Sequence, residues 1–495
     1  GLIVAFKLSF VIAILLAAFG IVKLLSEILY PVSPSLFASF VAVTVSIGTP
    51  FRLLDIYVRG SLPQCMAIAM VPWILVYIWR YYRSGKMSWW ILFSVSTAGI
   101  VLLHGATTIY LLALVSLIFL FIIVGGRSKR RVAILLPALI LSAGLTAFFW
   151  VPALSELQFV QIHRATEGGL HIDQHFLRIE ALLQNEFIYN YRYDNGVFQL
   201  GLGYTLTCIL GFLIAMIWGA RRLRLYAYGL GIAWITLLIL QTYYSKVVWE
   251  SIPFASYTQF PWRLQGFQSI VAGLLLGIAV QSVLVPIPLF LRVPMLFSLC
   301  ILFWLSSLTG LPVEGAIFET DVNMDSYPKW EAETMYIGTT SSGEYLPVWA
   351  SKEILQARQS SKLMQDCQLQ GIKLPIAKQI TYSWISPYMV RIETVSANDS
   401  CIPLHILYFP GWNIEVDGTE VTPLVAPVVG NMQVLLSEGK HEVIVAFEDT
   451  PVRQVATTIS QVSVILIAAI VLFSQLSRRP DLQPIRRRSD AREEE

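Results

Sequence analysis

The residues best suited to chemistry fall in three stretches, each beside a long apolar run. The first, TPFRLLDIYVRG (49–60), carries Arg52, Asp55, Tyr57 and Arg59. Guanidinium forks match phosphate oxygens and Asp55 can orient one of them, so this stretch could clamp a phosphate or pyrophosphate. The same residues could instead close one helical turn, with Asp55 pairing to Arg59 and Tyr57 anchoring at an interface. The second, FFWVPALSE (148–156), ends an apolar run at Pro152 and delivers Glu156 as a possible acid, base or cation ligand, or as the partner of an arginine. The third, WESIPFASYTQFPWR (249–263), combines Trp249, Tyr257, Phe260 and Trp262 with Glu250, Gln259 and Arg263. Aromatic faces beside amide and guanidinium donors suit a sugar or a polyprenyl phosphate, and an aromatic belt is the plainer alternative. Arg263 begins an apolar run and would be costly there without a partner. His163, His171 and His175 include an i, i+4 pair, but no accompanying Glu motif marks a zinc site, so no metal ligands are assigned.

Long apolar segments must position these residues. A bilayer crossing takes about 20 residues, fewer where the membrane thins. Eleven candidates fall near 2–25, 36–49, 62–79, 88–104, 106–124, 132–152, 199–219, 225–244, 264–284, 294–311 and 456–476. Between them lie the basic clusters Arg80/Arg83/Lys86, Arg127/Lys129/Arg130/Arg131 and Arg221/Arg222/Arg224, and a tail with Arg478, Arg479 and Arg486–Arg488. With the tail in the cytoplasm, alternation puts every cluster there, as the positive-inside bias requires. The expected domains are a helical membrane domain at 1–312 with outer loops 50–61, 153–198 and 245–263, an extracytoplasmic segment at 313–455, a final span at 456–476 and a basic tail at 477–495.

Composition agrees with this class: 56% of residues are hydrophobic and only 14% are charged. The net charge of +3 hides an asymmetry, because 313–455 carries eighteen Asp/Glu against nine Lys/Arg. Short juxtamembrane basic clusters fit topology and anionic lipid contact rather than nucleic acid. Within 313–455, runs rich in β-branched and aromatic residues at 379–395 and 401–416, the Asp417-Gly418 turn signal and the strand-like His441–Phe447 predict an antiparallel β-sandwich-like domain. Cys367 and Cys401 share this segment and could pair, whereas Cys65, Cys208 and Cys300 belong to apolar runs. No P-loop, GxGxxG or GxSxG motif is present, which argues against ATP-driven transport by this chain alone. The chain starts at Gly1 inside an apolar run, and the expectation is that helices and loops precede it.

Taken in order, RLLDIYVRGSLPQCMAIAMVPW, FFWVPALSE, QFPWRLQG, GTTSSGEYLPVWA (338–350) and YFPGWNIEVDG followed by GKHEVIVAFEDTPVR resemble one bacterial family. These are the polytopic membrane proteins labelled "6-pyruvoyl-tetrahydropterin synthase-related", and more distantly the YfhO-like proteins. The label does not imply pterin chemistry, which needs a compact α/β fold and a zinc-binding His set that the chain lacks. The resemblance implies a GT-C-type glycosyltransferase in the bacterial plasma membrane, taking sugar from a polyprenyl-phosphate donor on the outer face and passing it to a glycan or protein acceptor. Members usually place a catalytic carboxylate, as base or metal ligand, in the first large outer loop. No Asp-x-Asp or Glu-x-Asp stands in the outer loops 50–61, 153–198 or 245–263, so the catalytic residue is unassigned, no cofactor is firm and a divalent metal is compatible. By position, Arg52, Asp55, Tyr57, Arg59, Glu156, Glu250, Gln259, Trp262 and Arg263 would line the donor cavity. A non-catalytic envelope assembly or scaffold protein is the alternative, and a lipid or glycan transporter is a weaker one.

Overall fold

A computed structural model gives the architecture. It describes residues 2–57, 59–124, 129–167, 170–180, 198, 200–252, 255–284, 288, 290–291, 294, 343–351, 367–369, 372–396, 398–427 and 429–476. The expected tail at 477–495, most of 313–366 and all but the first residue of the expected span at 294–311 lie outside that set.

Apolar chain can be accommodated in lipid only when every backbone polar group is satisfied within its own segment, which favours helices. The long helices are α1 (Leu2–Leu29), α4 (Leu62–Ser84), α10 (Arg221–Ile239), α12 (Gln265–Leu284) and α13 (Pro451–Leu476). Five described helices are long and apolar enough to cross a membrane, and up to seven if each of two bent pairs counts as one span. The first pair is α2 (Leu36–Ile47) with α3 (Pro50–Tyr57), bent by 57°. The second is α7 (Lys129–Leu145) with α8 (Ala147–Ser155), bent by 72°. The apolar helices α5 (Met87–Leu103), α6 (Gly105–Val124) and α9 (Leu202–Trp218) are shorter, and α11 (Lys246–Ser251) is a single short segment.

Local signals set these boundaries. Ser35 caps α2 by accepting the Ala38 N–H at 3.1 Å. Proline opens α4 at Pro63, and left-handed Gly85 closes it by donating its N–H to the Tyr81 carbonyl. The segment 50–61, expected as an exposed outer loop, is mostly helical: Pro50–Asp55 are buried on α3. Pro50 can open a helix but cannot continue α2, so the chain breaks at Gly48-Thr49 and folds back into the bundle.

Polar groups gather at two ends of the helical bundle. At one end Arg80 pairs with Glu27 at 2.6 Å, Arg83 stands over the Tyr30 ring, and Arg222 donates to the Tyr30 carbonyl. The other end holds α3, the start of α4, the end of α5 and the start of α12. There α12 closes against α2 with no space for a side chain at Gly273, where a Cβ would stand 1.9 Å from Ser46 Oγ and 2.4 Å from the Ala42 carbonyl oxygen.

In the C-terminal sheet domain every described strand pairs antiparallel with its neighbours. A five-stranded sheet has the order β3 (Lys378–Ser386), β4 (Met389–Ser396), β10 (Gly439–Phe447), β6 (Trp412–Val416), β7 (Thr419–Val421). A three-stranded sheet has the order β5 (Ser400–Leu407), β9 (Asn431–Leu436), β8 (Leu424–Val425). Val390, Ile392, Ile414, Val443 and Val445 from the first sheet pack against Ile402, Leu404, Met432, Val434 and Leu436 from the second. The hairpin of β1 (Cys367–Leu369) and β2 (Ile372–Leu374) is fastened to β5 by a Cys367–Cys401 disulfide, with Cα atoms 6.1 Å apart. Asp417 and Gly418 both take positive φ, 53° and 78°, as a two-residue hairpin turn between β6 and β7 requires.

The sheet domain is fastened to the helices. Arg453 in the first turn of α13 pairs with Glu156 at 2.8 Å and donates to the Pro410 carbonyl at 3.2 Å. The Phe159 ring stacks on Trp349, which meets Tyr408 edge-on, and Gln161 donates its side-chain amide to the Pro347 and Ala350 carbonyls.

Candidate functional site

The short helix α3 is aimed by its surroundings. Thr49 Oγ1 accepts the Arg52 N–H at 3.3 Å, and the chain leaves the helix through Arg59 N–H to Leu54 and Ser61 N–H to Asp55 carbonyl bonds. Gly60, at φ 61°, allows this tight exit. Arg59 is thereby folded back so that Nη1 donates to Asp55 Oδ1 and, at 3.0 Å, to Gln64 Oε1. Cys65 Sγ donates to the other carboxylate oxygen, Asp55 Oδ2, at 3.3 Å. The Asp55 side chain is wholly buried, so these donors stand in for the water it has lost.

A slab of aromatic rings covers the cluster. Phe198 and Trp262 stack with centroids 3.7 Å apart, and Phe51 and Phe260 lean on Trp262. The Arg59 guanidinium lies 4.9 Å from the Trp262 centroid, and that of Arg263 lies 4.7 Å from Phe260. Arg263 Nη1 donates to the Thr258 carbonyl at 3.0 Å. Gln265 Nε2 holds the Phe198 carbonyl at 2.9 Å. Gly266 lets the first turn of α12 approach, since a Cβ there would stand 2.3 Å from Ile68 Cδ1.

Among the described residues one carboxylate lies within electrostatic reach of three guanidiniums. Arg52, Arg59 and Arg263 all act electrostatically on Asp55, the carboxylate of the cluster. Arg52 is 1% exposed, and its Nη1 has no hydrogen-bond partner among the described residues. Gln64 Nε2, a further donor, is likewise buried and unpartnered. His104, at the end of α5, lies within electrostatic reach of Arg263 and Arg59 and bonds Thr107 Oγ1 at 2.9 Å. The buried Arg52 guanidinium and the Gln64 amide thus each present a donor that no described acceptor takes, and such donors match an anion with several acceptor oxygens.

Of the residues singled out in the sequence, the structure brings Arg52, Asp55, Arg59, Trp262 and Arg263 together and sets the others apart. Tyr57 is exposed. Glu156 is taken up by Arg453 and, at 3.4 Å, by Thr450 Oγ1. Glu250 is exposed on α11, 3.6 Å from Lys246, whose ammonium also bonds Asp173; that bond raises the lysine pKa. Gln259, at φ 59°, donates to the Ala165 carbonyl at 2.7 Å and so braces the turn at 162–166. Trp249 packs edge-on against Tyr110 and donates to the Leu240 carbonyl, which makes it a structural ring. His171 and His175 do not share an α-helical face, because Ile172–His175 is a 3-10 turn capped by His171. Among the described residues no group of three or more His, Cys, Asp or Glu side chains could hold a metal ion.

Sequence reading missed Gln64, Cys65, His104 and Phe198 as members of the cluster. A Gln at the third position of a span and a His interrupting two apolar runs were the available signals. Phe198, isolated in sequence from the other members, gave none. Compared with family models, curated proteins and solved structures, the chain matches none.

Proposed function

We propose that the chain is a GT-C-type membrane glycosyltransferase with eleven spans, a cytoplasmic C-terminus and an extracytoplasmic sheet domain, using a polyprenyl-phosphate-linked sugar donor to modify a cell-envelope glycan or protein. The observation that carries the reading is the buried Arg52, whose Nη1 has no partner among the described residues and stands in a cluster where three guanidiniums act on one carboxylate. The location suits an amphipathic donor: the cluster lies at the end of an apolar helical bundle and beneath a slab of aromatic rings.

In such a transfer an acceptor hydroxyl oxygen forms a bond to the sugar carbon as the glycosyl–phosphate bond breaks. The sugar carbon gains positive charge in the transition state, the departing phosphate keeps the bonding pair, and the hydroxyl proton passes to that phosphate or to water. Arg52, Arg59 and Arg263 would bind that phosphate and stabilise its developing charge. Asp55, engaged by Arg59 and Cys65, is a positioning residue that holds the Arg59 fork; no described carboxylate is assigned as the base. The sheet domain would hold the acceptor.

The test is binding of a panel of polyprenyl-phosphate sugars to the protein in nanodiscs, with Arg263→Ala and Arg52→Gln alongside. Wild type should bind at least one donor, and each variant should weaken it roughly tenfold or more, the worth of one charge-assisted hydrogen bond. Absence of binding from folded wild type, or equal binding by both variants, would overturn the reading. A non-catalytic scaffold is the second reading, and the fastening of the sheet domain through Glu156–Arg453 and Phe159–Trp349 favours it. In that case the sheet domain would bind a glycan or protein partner with Arg52 playing no part.

A further inference from the structure

The tip of the β3–β4 hairpin carries an apolar surface that neither the helices nor the second sheet covers. Trp384 is 60% exposed, Ile385 53% and Tyr388 65%, and Pro387 is exposed between them. Trp384 sits directly across from buried Val390 and so belongs to the inner side of the sheet, at a place where the three-stranded sheet no longer covers it. From Gln379 to Val390 the chain has no charged residue. Solvent-exposed loop tips are ordinarily polar, and an uncharged tip with two exposed aromatic rings calls for a surface to receive it.

Register fixes where that tip points. Met389 pairs with Ala446, and Phe447 donates its N–H to the Tyr388 carbonyl at 2.9 Å. Ser386 and Pro387 therefore extend beyond Phe447, alongside Glu448 and Asp449. Helix α13 begins at Pro451, so at most about 13 Å of chain separates Phe447 from its first turn. That helix, over Pro451–Gln475, is long and apolar enough to cross a membrane. The first charges behind the tip, Arg391 paired with Glu442 at 2.9 Å, lie about 10 Å back from Tyr388. The opposite end of the domain is charged, with Glu438 and Lys440 exposed. Glu448 at the tip's own level is hydrogen-bonded by Asn413 at 2.9 Å, which suits a polar headgroup layer.

We infer that the hairpin tip Trp384–Tyr388 inserts into the interfacial layer of the bilayer that α13 crosses, making the lipid surface its partner. Tryptophan and tyrosine are the side chains that membrane interfaces favour, with an apolar body and a polar handle. The tip then gives the sheet domain a foot on the membrane, on the edge strand of the sheet rather than on the α13 attachment.

The inference rests on α13 crossing a membrane, and the experiment separates the two. In a Cys300→Ala background an environment-sensitive fluorophore is placed in turn at Ile385→Cys, Glu438→Cys and Ile465→Cys, the last on the exposed face of α13. Cys65 and Cys208 are buried and Cys367–Cys401 is bonded, which leaves the introduced thiol for labelling. Each protein is reconstituted in phosphatidylcholine/phosphatidylglycerol nanodiscs without label, with lipid carrying a nitroxide near the headgroup (read at 385 and 438), and with lipid carrying it on the acyl chain (read at 465). Expected is quenching at 385 at least threefold that at 438, with 465 also quenched. Quenching at 385 no greater than at 438 would overturn the inference, including the case of blue-shifted emission that lipid nitroxide does not quench, which would indicate a protein partner. Absence of quenching at 465 would overturn the membrane reading of α13 and the inference with it.

Discussion

Replacing Arg52 with Gln should stabilise the empty protein while crippling its capacity for an anion. Arg52 is 1% exposed and its Nη1 lacks a partner among the described residues, so the folded state carries a desolvation penalty that the unfolded state does not. A stranded buried donor costs about 1–3 kcal/mol, and a charged one costs more. Gln keeps the stem as far as Cδ and loses about one methylene's worth of packing, roughly 0.8 kcal/mol. Removing Arg52 gives up its attraction for Asp55 and relieves its repulsion from the other two guanidiniums, two changes of opposite sign, and Asp55 retains Arg59 and Cys65 as partners. The net gain is therefore between about 0 and 2 kcal/mol. The assay is thermal unfolding in detergent, with and without a polyprenyl phosphate. At a ligand concentration near 100 times Kd, wild type should gain about 2.7 kcal/mol. The variant should gain far less, so the two proteins exchange rank when ligand is added. A variant that is less stable than wild type by more than about 1 kcal/mol without ligand, and shows the same ligand-induced shift, would refute the idea that Arg52 is an orphan awaiting an anion.

Three further outcomes follow from the geometry. Glu156→Gln removes one partner of a pair whose side chains are only 14% and 12% exposed, which should cost about 3 kcal/mol and speed hydrogen exchange at 159–161 and 347–350; unchanged exchange there would show that the aromatic contacts suffice. Asp417 accepts the Glu442 N–H and bonds His441, contacts that hold its carboxyl below the ordinary 3.8. A lowered folded pKa means that this stabilisation is present above pH 3.8 and is lost as pH falls through the folded value, so Asp417→Asn should flatten the acid limb of sheet-domain unfolding below about pH 4, with an unaltered limb counting against it. Gly273→Ala puts a methyl group within 1.9 Å of Ser46 Oγ and should lower stability by about 1–3 kcal/mol, read as a fall in Tm; full tolerance would mean that α2 and α12 separate freely.

Much of the fold was legible because period and composition are local. The apolar runs around α1, α4, α12 and α13 announce themselves residue by residue. The Asp417-Gly418 pair sets its own turn, and the β4 alternation of buried Val390, Ile392 and Thr394 follows the pleat. Part of the site was legible for the same reason, since Asp55 and Arg59 are one turn apart. What stayed hidden depends on partners far along the chain. Glu156 reads as an interfacial carboxylate until Arg453, 297 residues away, claims it. Segment 50–57 reads as a loop because Arg and Asp look soluble, yet burial becomes affordable once Gln64 Oε1 accepts from Arg59, Cys65 donates to Asp55 and the Trp262 ring covers them. Likewise the two histidines at 171 and 175 share a face only on an α-helix, and the chain there winds a 3-10 turn.

The strand order also governs how the sheet domain can be made. Strand β10 lies at the centre of the five-stranded sheet, between β4 and β6, yet it is the last strand in the sequence and runs almost directly into α13. Until residues 439–447 leave the ribosome, the sheet exists only as two unjoined hairpins, β3–β4 and β6–β7, each with an open inner edge. Synthesis proceeds from the N-terminus, and open strand edges invite pairing with other chains. The domain therefore passes through an unprotected state lasting for most of its translation. Closure comes within a few residues of the helix that fixes it in place, which couples completion of the sheet to the folding of the last helix.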